Sequence, residues 1–217
     1  MNTFFFSKSL LDYSRNRKEK YAGDRMKIRF LLLILFICTL LVSACGQKKI
    51  ENEVTWPIKD FSATTQDNKP YGLKDLKGKV SITAFIFTSC ADVCPPMTSN
   101  MAKIQKKVKA EGLKDVEFVS FSVDPTVDSP EVLTKYGKQF GVDFKNWTFL
   151  TGYSQEFIEE YAGKNFKTIV KKPEEGNQVI HQVYLYLVDK DGNIKKTYNG
   201  YQNVPFDEIM NDIKALQ

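Results

Sequence analysis

The chain has 217 residues, with 31 Lys/Arg, 26 Asp/Glu and a single histidine, for a formal charge of +5. The excess is local: the first 45 residues hold eight Lys/Arg and three Asp/Glu, which leaves 23 of each sign in the remainder. A neutral remainder gives no electrostatic support for nucleic-acid binding, and its length of about 170 residues is one domain's worth of chain.

In chain order, Met26-Lys-Ile-Arg29 is a short positive segment and Phe30 to Val42 an apolar run too short for a membrane span. Val42-Ser-Ala-Cys45-Gly46 then sets small residues directly before a cysteine. This is the pattern of a signal peptide over residues 1–44, with Met26 read as the true start. The junction resembles a bacterial lipobox, which implies that Cys45 is lipidated and becomes the mature N-terminus. Residues 45–55 are then a lipidated tether and residues 56–217 the folded domain, held on the extracytoplasmic face of the cell membrane. Cys38 leaves with the signal, so Cys90 and Cys94 are the two unmodified thiols of the mature chain.

Thr55 to Tyr71 reads as an N-terminal β-hairpin. Val80 to Phe87 is β-branched, aromatic and mostly apolar, as in a strand buried on both faces. Pro95-Pro96 suits a first helical turn, and Met97, Met101, Ile104 and Val108 recur at helical spacing up to Ala110. Val116 to Val123 is the next strand. Ser129 caps a helix running to Phe140, Trp147 to Leu150 is a short strand, and Ser154 caps a helix over 155–162. The polar stretch Lys164 to Gln178 reads as an inserted loop or hairpin. Val179 to Val188 is a long apolar strand that carries His181, Asp191-Gly192 a turn into a strand over 194–198, and Pro205 to Leu216 a closing helix. The order predicts an α/β sheet with helices on both faces. It looks like the thioredoxin fold, with an N-terminal hairpin extension and an inserted loop before the strand that bears the histidine.

Cys90 and Cys94 stand where an apolar strand passes into a helix, and four residues of helix separate two side chains by about 6 Å along the axis. That spacing suits a disulfide or two sulfurs on one metal ion, and exposed backbone N–H groups at a helix start favour the thiolate. Three residues separate the cysteines, so the redox signature with two is absent. Two thiolates and an imidazole suit copper: thiolates select Cu(I), and imidazole also binds copper. A structural zinc site would want a fourth ligand. Met97 and Met101 follow the cysteines along the helix and read as core packing.

Phe87-Thr-Ser-Cys-Ala-Asp-Val-Cys-Pro95, Ser122-Val-Asp-Pro125 and one histidine shortly before Tyr186-Leu-Val-Asp-Lys-Asp-Gly192 resemble the Sco/SenC family from about Val54 to Leu216. The resemblance implies a thioredoxin-like domain that serves assembly of the binuclear copper A centre in subunit II of cytochrome c oxidase. It would act there as copper donor, as thiol reductant of the acceptor site, or as both. Cys90, Cys94 and His181 would be the ligands of a copper ion, Cu(I) or Cu(II), with Cys90 and Cys94 also a redox pair. Many relatives carry an aspartate just before the histidine, where this chain has Ile180; Asp124, in the Asp-Pro pair, is another carboxylate that could support the site. A thiol–disulfide oxidoreductase is the alternative, but it leaves His181 unexplained, and no proline opens the histidine strand as in thioredoxin-like reductases. A peroxidase signature fails at both cysteines.

Overall fold

The computed structural model describes residues 50–176 and 178–217. The expected signal segment, Cys45 and the start of the tether lie outside them. Among the described residues no helix is long and apolar enough to cross a membrane.

Strand β4 (Val80–Ile86) is the centre of the domain, and all seven of its residues are buried. Its uninterrupted run of apolar and hydroxyl side chains suits a strand covered on both faces. β5 (Val116–Ser122) pairs with it in parallel on one side and β9 (Tyr184–Val188) antiparallel on the other. β6 (Trp147–Thr151) extends the sheet beyond β5, and β10 (Asn193–Asn199) extends it beyond β9. The turn from β9 to β10 closes on Asp189, whose Oδ1 accepts the N–H of Asp191 and of Asn193, and Gly192 there takes φ +83°.

Helices α1 (Cys94–Ala110) and α4 (Phe206–Ala215) pack together. α2 (Pro130–Gln139) joins α1 through the Tyr136 and Thr98 hydroxyls at 2.9 Å. Behind β4 and β5 lies an aromatic cluster in which Phe85, Phe121, Tyr161, Phe166 and Tyr186 meet at centroid distances of 5.0–6.1 Å. Tyr161 ends α3 (Gln155–Tyr161), and Phe166 ends the π-helical turn Ala162–Phe166 that follows. Ser129 and Ser154 cap their helices as expected, accepting the N–H of Val132 and of Phe157.

Two expectations change in detail. The segment expected as one hairpin divides between the two edges of the sheet. β1 (Trp56–Pro57) pairs with β10, whereas β2 (Ala63–Thr65) pairs with both β3 (Pro70–Tyr71) and β6. The hairpin is the shorter unit from 63 to 71, closed by Thr65 N–H on the Lys69 carbonyl at 2.8 Å. The expected long strand Val179 to Val188 is broken at Gln182 and Val183. β8 (Ile180–His181) pairs with β7 (Val170–Lys171) in a separate two-stranded sheet, and only from Tyr184 does the chain join the main sheet. The inserted segment is thus a hairpin, and it takes His181 with it.

Candidate metal centre

The cysteine loop leaves β4 and is tied down at once by a carboxylate. Asp128 is fully buried, and it accepts the Thr88 N–H at 3.2 Å, the Thr88 hydroxyl at 2.5 Å and the Ser122 hydroxyl at 2.6 Å. Burial raises its carboxyl above the ordinary range, and these donors oppose the rise. Cys90 N–H then closes on the Phe87 carbonyl at 3.3 Å. Only Cys94 is helical, as the first residue of α1; Cys90 sits in the loop before it, which corrects the expectation of one continuous helix under both thiols. Pro95 and Pro96 fill the first turn, where N–H groups have no helical partner. The Cys94 N–H is taken by the Cys90 sulfur at 3.3 Å.

The two sulfurs differ in charge. Cys90 is lowered to about 3 because the Cys94 thiol donates to it, with backbone N–H groups adding to the effect and burial opposing it. Cys94 is pushed well above the ordinary thiol range, because it is the donor in that pair and because it is buried. Cys90 is thus the more readily ionised sulfur of the pair. Cys94 is wholly buried and Cys90 is 7% exposed, so Cys90 is also the more accessible.

His181 completes the cluster from the side of the hairpin. Its Nε2 lies 3.1 Å from Cys94 Sγ, and the Phe87 ring packs against the imidazole at 5.6 Å, nearly edge-on. Nδ1 is 3.0 Å from the Gln182 carbonyl, an acceptor only, so Nδ1 carries the proton and donates it. That bond leaves the Nε2 lone pair free for a Lewis acid. The two sulfurs and a ring nitrogen lie within 4.8 Å of one another, a spacing that a single soft ion can bridge.

Cys90, Cys94 and His181 are therefore all in the cluster; Cys45 lies outside the described residues. Asp124 is not at the imidazole: its carboxylate meets Lys172 Nζ at 2.6 Å and the Thr126 hydroxyl at 3.0 Å. Met97 and Met101 are buried in the core, as read. Sequence reasoning missed the Gln182 carbonyl as support for the ring, because a backbone acceptor carries no residue signature. It also missed Asp128, whose only signal was an acidic residue amid apolar and hydroxyl neighbours.

Comparison with known proteins gives the same residues a family. The SCO1/SenC family model matches residues 51–217. The chain is 48% identical to the SCO1 protein homolog of Bacillus subtilis (strain 168) over 184 residues, 85% of this chain and 92% of the relative. It is similar to the crystal structure of a SCO1/SenC family lipoprotein from Bacillus anthracis, at 49% identity and TM-score 0.75, covering 77% of this chain and 99% of that one. A structure of BsSco, described as a member of the Sco family of cytochrome c oxidase assembly proteins and bearing a disulfide switch, matches at 48% identity and TM-score 0.72, over 78% and 98% of the two chains. Arabidopsis thaliana ScoI with copper bound matches at 31% identity and TM-score 0.61, over 72% and 96%. With a family match over the whole described domain and a dithiol–imidazole cluster inside it, this chain belongs to the SCO1/SenC family.

Proposed function

We propose that this chain is a copper-binding protein for cytochrome c oxidase assembly, with Cys90, Cys94 and His181 as the ligands. The observation that carries the reading is the convergence within 4.8 Å of two sulfurs, from a loop and the helix start that follows it, with Nε2 from a hairpin 87 residues beyond Cys94. Its acceptor is the copper A site of oxidase subunit II, which the chain supplies with copper, reduces at its thiols, or both. Copper passing between sites with like soft ligands moves by ligand exchange and never as a free ion. A signal segment over 1–44, a lipid on Cys45 and a tether to about residue 55 hold the domain at the extracytoplasmic membrane face; the Bacillus anthracis relative is described as a lipoprotein.

The charge asymmetry of the thiols supports the reductant part. The Cys90 thiolate attacks an acceptor disulfide, forming a mixed disulfide and releasing one acceptor thiolate. Cys94 then gives up its proton and attacks Cys90 Sγ, so the second acceptor sulfur leaves as a thiol. Two electrons pass to the acceptor, and Cys90–Cys94 becomes the disulfide. That disulfide has no thiolate to offer copper, so oxidation and copper loading exclude each other.

Metal analysis and visible spectroscopy of the reduced protein with added Cu(II) test the reading. One copper per chain with a thiolate charge-transfer band is expected, and the oxidised protein should take up none. Deleting the gene should depress the oxidase that contains copper A and spare a quinol oxidase without that centre. Rescue by excess copper marks donation as the limiting task, and rescue by thiol reductant marks reduction. Normal copper A oxidase activity under copper limitation in the deletion strain would refute the assignment.

A further inference from the structure

His181 is the one proposed ligand that does not stand at the β4–α1 junction; it is carried by the separate two-stranded sheet. That sheet is joined to the body by the buried Val170 and Val179 and by a set of polar side chains at its base. Immediately after β7, Lys172 reaches back to the turn that follows β5. Its Nζ lies 2.6 Å from Asp124 Oδ1 and 3.0 Å from the Thr126 hydroxyl. The Lys172 backbone N–H donates to Glu159 Oε1 at 2.9 Å, and Lys171 Nζ pairs with Glu159 Oε2 at 2.9 Å. Glu159 is held in turn by the Gln155 amide at 3.2 Å. The β7–β8 ladder sets Val170 opposite His181 and Lys171 opposite Ile180, so whatever holds β7 also sets the position of the histidine.

We propose that Lys172 is a positioning residue for His181. Exposed ion pairs contribute little, but here the Asp124 side chain is 3% exposed and that of Lys172 26%, so solvent screens the pair weakly. Removing the ammonium strands a buried carboxylate and frees the base of the hairpin. Asp124, which the sequence offered as support for the imidazole, then acts at one remove: it holds the lysine, the lysine holds β7, and β7 holds β8. The dithiol stands on the β4–α1 junction, and neither Lys172 nor Asp124 hydrogen-bonds to either sulfur. The clamp therefore acts first on the nitrogen ligand.

The inference rests on His181 being a copper ligand, and the test separates the two claims. Lys172→Met, Lys172→Arg and His181→Ala are prepared as reduced proteins and titrated with Cu(II) and, separately, Cu(I). Lys172→Met should bind Cu(II) about tenfold more weakly, with its charge-transfer spectrum displaced toward that of His181→Ala. Its Cu(I) binding should stay within about twofold of the parent, because two thiolates hold Cu(I). Lys172→Arg should restore the parent spectrum. Without copper, hydrogen exchange in Lys172→Met should quicken over residues 168–184 and stay unchanged over 94–110. If His181→Ala alters Cu(II) binding and Lys172→Met leaves either the spectrum or the exchange at the parent level, the positioning role is overturned while the copper reading stands. If His181→Ala leaves Cu(II) binding untouched, the ligand reading fails and the inference fails with it. Should Lys172→Met not fold, Lys172→Gln carries the same comparison, and equal loss of Cu(I) and Cu(II) binding would likewise overturn the proposal.

Discussion

The dithiol wall of the site and its imidazole wall are held by different balances of forces. Cys90 and Cys94 hang from β4 and α1, between the aromatic cluster and the packed helices, and Asp128 ties their loop to the end of β5. Their placement follows from apolar burial, which is non-directional and large when summed over the core. His181 lies on a two-residue strand whose hairpin is held by the buried Val170 and Val179 and by Lys171, Lys172, Asp124 and Glu159. Its placement depends on directional polar contacts, each small, as well as on apolar burial. A site built this way can keep its sulfur pair fixed while its nitrogen ligand moves, which suits the copper-donor role proposed above.

Cutting the rigid wall gives the largest expected effect. Cys90→Ser or Cys94→Ser should abolish stoichiometric copper binding, measured by metal analysis after dialysis, because a hydroxyl is no substitute for a thiolate toward Cu(I). Retained copper in either variant would move the site elsewhere.

Weakening the support of that wall should have the opposite signature to the hairpin variants. Ile82 is wholly buried in β4, so Ile82→Ala should cost ~2–5 kcal/mol in denaturant unfolding. While folded, the protein should keep the parent Cu(II) spectrum. A shifted spectrum with unchanged stability would show that the core tunes the ligands directly, and the contrast between the walls would collapse.

The charge difference between the thiols sets a pH dependence. Cys90 is lowered to about 3, so the ultraviolet thiolate absorbance of the reduced protein should persist as the pH falls and fade only toward that value. In Cys90→Ser it should fall at neutral pH, because the more readily ionised sulfur is gone and burial still opposes ionisation of Cys94. The sign for stability follows. The folded state holds the Cys90 proton less tightly than the unfolded chain, so this group's contribution is complete above the unfolded thiol value of about 8.5 and is lost as pH falls toward the folded value. Between about pH 4 and 8 the unfolding free energy of the reduced protein should therefore rise relative to Cys90→Ser; parallel curves would contradict the assignment of the charge.

The smallest effect is expected at the cap of α2. Ser129→Ala removes the cap that accepts the Val132 N–H and should cost about 1 kcal/mol without altering copper binding. It is the control that marks the size of an ordinary local defect.

Much of this architecture was legible in the residues. The continuous apolar run of Val80 to Phe87 could only be a covered strand, Pro95-Pro96 could only open a helix, and Ser129 and Ser154 stood where caps belong. The break at Gln182 and Val183 was not legible. Val179 to Val188 is β-favouring throughout, and no proline or glycine marks the point at which the chain leaves one sheet for another. The splitting of residues 55–71 between two sheet edges was hidden for the same reason: local preference selects an extended chain and not its partner.

The sequence by itself determined the soft donors, their number and the strand-to-helix junction that carries two of them, because residue chemistry and local periodicity are properties of neighbours along the chain. Only the tertiary structure decided that His181 comes within 3.1 Å of Cys94, that a backbone carbonyl directs its lone pair, and that Asp124 serves Lys172 instead of the ring. The first and last of those relations join segments 87 and 48 residues apart. They are set by which packed and polar surfaces meet when the sheet closes, a choice that no single stretch of sequence contains.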